Sequence, residues 1–162
     1  MSLSFLLFAL ISFGAGDSGT TTATWTVLSY ATLSIAGGGG TVGSVIGSLS
    51  LPQPTAADLE RGYLELGDAL TLVAQSNVNW RLSIRTDDPD MGKSYDGTYT
   101  KPISDFQLGA DGAYLTIAHE DQPLAEGGPG EHELKIDYRI LFRQEYRPGN
   151  YHITLIYTIA TE

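Results

Sequence analysis

The 162-residue chain carries 9 Lys+Arg against 19 Asp+Glu, a formal charge of -10, and no cysteine. A disulfide scaffold, a zinc ribbon, thioether-bound haem and a thiol nucleophile are thereby excluded, and a chain of this size can bury enough surface to fold as one domain without such staples. The few cations are scattered, so there is no basic face to neutralise phosphates and no nucleic-acid partner is expected.

Residues 3–11 (LSFLLFALI) form an apolar run, followed by Phe13-Gly14-Ala15-Gly16. This pattern resembles the core and cleavage site of a secretory signal, and its ten or so residues fall short of the ~20 that span a bilayer as a helix. Residues 1–16 are therefore expected to be a signal peptide or an apolar N-terminal segment of a secreted, cell-surface protein without a permanent membrane anchor. The usual basic start is missing, since the first cation is Arg61.

Residues 17–36 form an N-terminal extension. Within it Trp25, Val27, Ala31, Leu33 and Ile35 fall on odd positions, with mostly Thr or Ser between them, which is the two-residue period of a strand. Gly37-Gly38-Gly39-Gly40 follows as a hinge, because glycine loses the most backbone entropy on ordering. Residues 41–162 are expected to form the body.

In that body, residues 41–51 read as a strand ended by Pro52 and Pro54, and residues 56–61 as one helical turn. Residues 70–74 and 80–85 read as a hairpin, with Trp80, Leu82 and Ile84 on one face. Residues 86–102, rich in Asp, Gly and Pro, read as a long surface loop, and residues 113–118 as a short strand. Two strong strands close the chain. Leu134, Ile136, Tyr138, Ile140 and Phe142 share one face of the first; Tyr151, Ile153, Leu155, Tyr157 and Ile159 share one face of the second. Arg147-Pro148-Gly149-Asn150 between them predicts antiparallel neighbours. Many short strands and no amphipathic helix of useful length predict an all-β, immunoglobulin-like antiparallel β-sandwich with an N-terminal donor-type strand.

No catalytic set converges, so the protein is not expected to be an enzyme, and no cofactor is expected. His119, His132 and His152 are spread over different segments and read as surface or rim residues. No metal centre is expected either. Calcium prefers several hard oxygens on one loop, which makes Asp87, Asp88 and Asp90 the candidate ligands if there were one, yet they lack the spacing and terminal Glu of a calcium loop. Lys135 and Asn150 are conceivable partners of a Lys–Asn cross-link. Tyr63, Tyr95, Tyr99, Tyr114 and Tyr146 are candidates for a carbohydrate platform, whereas Tyr138, Tyr151 and Tyr157 fall on inward faces.

A loosely hinged strand can complete its own sheet or the sheet of a neighbour, and a head-to-tail contact repeated without closure gives a filament. The order of leader, apolar strand, glycine hinge and body resembles the strand-exchange subunits of bacterial chaperone-usher pili and archaeal surface threads. That resemblance implies a homopolymer built through neighbouring copies, with Trp25, Val27, Ala31, Leu33 and Ile35 filling the groove at the subunit interface. The cysteine pair of many chaperone-usher pilins is missing, which favours the thread-like group. Trp80-Arg81-Leu82 also resembles the first motif of WxL surface domains, and residues 151–159 resemble the distal one, with Tyr157 in place of a second Trp. This second resemblance implies a cell-wall or polysaccharide-binding surface module as the alternative.

Overall fold

The computed structural model describes residues 24, 26–35, 51–110, 112–143 and 147–162. The expected signal segment, the glycine hinge and the strand at 41–51 lie outside the described residues, apart from Leu51.

Eight strands, one short helix and a 3-10 turn make up the described chain. They are β1 (Ala31–Ile35), α1 (Ala56–Arg61), β2 (Tyr63–Ser76), β3 (Trp80–Arg85), the 3-10 turn Ile103–Asp105, β4 (Phe106–Ala110), β5 (Ala113–Thr116), β6 (Gln122–Gly127), β7 (Gly130–Leu141) and β8 (Ile156–Thr161). All pairings are antiparallel. One sheet has the order β1-β2-β7-β4-β5 and the other β6-β3-β8. The fold is thus all-β with two antiparallel sheets around one core, consistent with a β-sandwich.

Alternation within the strands builds that core. Leu64, Leu72, Ala74, Leu108, Ile136, Tyr138 and Ile140 come inward from the larger sheet, and Trp80, Leu82 and Ile84 from the smaller. The hydroxyls of Tyr138 and Tyr157 meet at 3.2 Å, joining β7 to β8 across the core. Burial pushes the pKa of both phenols up, so the pair is neutral and hydrogen-bonded.

Two sequence expectations change here. Residues 70–74 and 80–85 are not a hairpin, because the turn Asn77–Asn79 carries the chain from β2 in one sheet to β3 in the other. Likewise β7 and β8 are not neighbours, since they lie in different sheets. Period-two patterning fixes which side chains face inward, and an inward face is equally well met from across a sandwich as from a hairpin partner. The burial alternation at 151–159 is as expected, but the ladder covers only Ile156–Thr161.

The helical turn forms as read. Thr55 caps it reciprocally with Asp58, and Gly62, at φ 84, ends it in the left-handed region. Two strands escaped the sequence reading. β4 is short and contains Gly109, and β6 contains Pro123, which is tolerated because β6 is a sheet edge and its register shifts there.

Candidate functional site

The N-terminal strand and the edge that receives it form the best-defined binding geometry among the described residues. β1 lies on the outer edge of the larger sheet and pairs with the end of β2, from Ala31 opposite Ser76 to Ile35 opposite Leu72. Leu33, opposite Ala74, is the anchor: it is 7% exposed and belongs to the core, with Ala31 and Ile35 packed partly against it. Burying one leucine contributes roughly 2 kcal/mol. Thr32 and Ser34 alternate with these residues along β1.

Beyond Ala31 the ladder stops, because β2 ends at Ser76. A polar corner replaces it. The Asn77 Nδ2 donates to Leu28 O at 2.9 Å, and its Oδ1 accepts from the Tyr30 N–H at 2.8 Å. The Asn77 N–H and the Ser76 Oγ both donate to Tyr30 O, at 3.3 and 2.8 Å. The side chains of this stretch face water: Val27 is 70% exposed, Leu28 77% and Tyr30 50%.

Of the five expected groove residues, then, Leu33 is buried, Ala31 and Ile35 are half-buried, and Trp25 lies outside the described residues. Within one molecule the Val27 side chain is exposed. Here β1 pairs with β2 of the same chain.

A second cluster is charged and buried, and the sequence reading of 86–102 as a surface loop overlooked it. Lys101, only 1% exposed, donates to Asp105 Oδ2 at 3.0 Å and to Leu141 O at 2.7 Å, while Arg143 Nε pairs with Asp105 Oδ1. Burial pushes the Lys101 amine down from the ordinary lysine range, with Asp105 opposing that shift. The Lys101 ammonium also lies near the rings of Phe142 and Tyr151. Thr86, Met91 and Ser94 are buried too, and the Met91 N–H donates to Lys101 O, so this loop is packed and not solvated throughout. The only available sequence cue was Lys101 preceding Asp105 by four residues.

The acidic residues do not converge. Asp87 pairs with Arg85, Asp88 accepts from the Thr154 N–H, and Asp90 accepts from the Gly92 N–H. Among the described residues no group of three or more His, Asp or Glu is arranged to hold a metal ion. Lys135 pairs with Asp68 and Asn150 accepts from Tyr95, so each cross-link candidate has a different partner.

The tyrosines separate as well. Tyr63 and Tyr114 share one cluster on the outer face of the larger sheet: Arg61 and Arg139 lie over the Tyr63 ring at 4.5 and 4.6 Å, and Arg139 lies over Tyr114 at 3.5 Å. Glu65 accepts from Tyr114 and Arg139, and these two bonds hold its pKa below the usual range. Rings engaged by guanidinium groups offer little face for a sugar. Tyr95 is exposed elsewhere, Tyr99 faces Asp105, and Tyr146 lies outside the described residues.

No protein-family model matches the chain, and neither does any curated protein. Among the described residues no helix is long and apolar enough to cross a membrane.

Proposed function

We propose that this protein is a secreted structural subunit with an immunoglobulin-like body, assembled into an extracellular filament by exchange of its N-terminal strand between copies. The observation that carries the reading is the modest hold on β1. It is a five-residue edge strand with one buried side chain, continued by the exposed Val27 and Leu28 and followed in sequence by Gly37-Gly38-Gly39-Gly40. A strand donated to a second copy would form the same ladder and fill the same Leu33 site. Closed and exchanged forms then differ mainly in association entropy and in the freedom of the hinge. The seating observed within one molecule is the closed form of such a subunit.

That same pairing is also compatible with a second reading, a self-complete monomeric surface module that binds cell wall or polysaccharide. Imaging and sizing separate the two. The exchange reading expects the intact chain to form head-to-tail threads under negative stain and the Leu33→Asp variant to stay dispersed. A full-length chain that remains monodisperse at every concentration, while binding glycan or wall material, supports the module instead.

A further inference from the structure

The corner that follows β2 touches main chain alone. Four hydrogen bonds join Ser76 and Asn77 to Leu28 O, Tyr30 N and Tyr30 O, the Ser76 Oγ also lying within bonding distance of Val78 O and accepting from the Val78 N–H, while the Leu28 and Tyr30 side chains are exposed. The Asn77 carboxamide uses one donor and one acceptor here, as a peptide unit does, and so continues the edge past the end of β2. The edge is thereby lengthened without being tied to any side chain.

We propose that Ser76 and Asn77 form a receptor for strand main chain, which grips residues 28–30 of a second copy whatever their side chains and leaves Leu33 as the principal side-chain requirement. The proposal rests on the exchange reading, since its occupant is the identical segment of another molecule. The occupant's backbone path is the one seen here, where the same segment sits on its own edge. Each bond of this kind has a modest net worth, so removing the carboxamide should weaken capture roughly tenfold.

The test uses the full chain and a fluorescent peptide of residues 24–35, with anisotropy as the readout. A second peptide carries Leu28→Thr and Tyr30→Thr, and a third carries Leu33→Asp. Expected are capture of the first two with affinities within about threefold of each other and no capture of the third. The Asn77→Ala chain should lose roughly tenfold for both binding peptides, and Asn77→Asp, which keeps the acceptor but not the donor, should fall between. Circular dichroism establishes that both variants are folded. If the native peptide binds and either the Thr-substituted peptide fails or Asn77→Ala changes nothing, the receptor is wrong while exchange stands. If the native peptide is never captured and the chain stays monomeric, the exchange reading fails and takes the receptor with it.

Discussion

Single residues show where the fold is least tolerant. The buried Asp105 receives the equally buried Lys101 and the largely exposed Arg143, and a buried charge deprived of its partner is far more costly than a pair removed together. Asp105→Asn should therefore destabilise by about 3–5 kcal/mol in denaturant titration, and replacing Lys101 and Asp105 together by apolar residues should cost less than that single change. Trp80 offers a finer probe. Its indole N–H donates to Gly128 O at 3.0 Å, so Trp80→Phe should lose about 1 kcal/mol from the bond, plus a packing contribution.

Acid sensitivity also belongs to particular carboxylates. Asp96 accepts from the Ser94 hydroxyl and from the N–H and hydroxyl of Thr98, and these bonds lower its pKa from 3.8 to about 2. Asp58 and Glu65 are lowered as well, by Thr55 and by Tyr114 respectively. A depressed folded pKa means that the unfolded chain takes up its proton first. The stabilisation is whole above about pH 5 and falls away as the pH drops toward 2. Denaturation midpoints should follow that decline, and Asp96→Asn should flatten it.

At the scale of elements, close packing against glycine holds the strand pairs in place. A Cβ at Gly127 would lie 2.6 Å from the Trp80 ring, so Gly127→Ala should displace the indole from its strand pair and cost about 1–3 kcal/mol, measurable as a lowered Tm and altered tryptophan fluorescence. Much of this level was legible beforehand. Alternation placed Trp80, Leu82, Ile84, Ile136, Tyr138 and Ile140 inward, and they are core residues. The helical turn over 56–61 also forms as its sequence suggested, bounded by the Thr55 cap and Gly62.

What the pattern lacked was pairing. Asn77–Asn79 and Arg147–Asn150 carry ordinary turn chemistry, and the same turn residues serve a hairpin or a crossing between sheets. β6 was hidden by Pro123, and the buried Lys101–Asp105 pair by a segment whose Asp, Gly and Pro content reads as solvated. The corner at Asn77 was also out of reach, because a turn asparagine gives no sign in sequence that its carboxamide binds a strand 47 residues away.

For the whole molecule, the question is whether β1 is kept or shared. The absence of cysteine makes a clean trap possible. Thr32 and Gln75 face each other across the β1–β2 ladder, and directly opposed antiparallel residues lie at a separation that a disulfide can bridge. In a chain carrying Thr32→Cys and Gln75→Cys, only the engineered pair can oxidise, and the bond records which molecule supplied the strand. Non-reducing electrophoresis after oxidation at increasing protein concentration should give a ladder of covalent multimers that collapses to monomer on reduction. Cross-linked monomer alone, at every concentration, would contradict strand exchange and leave a self-contained domain.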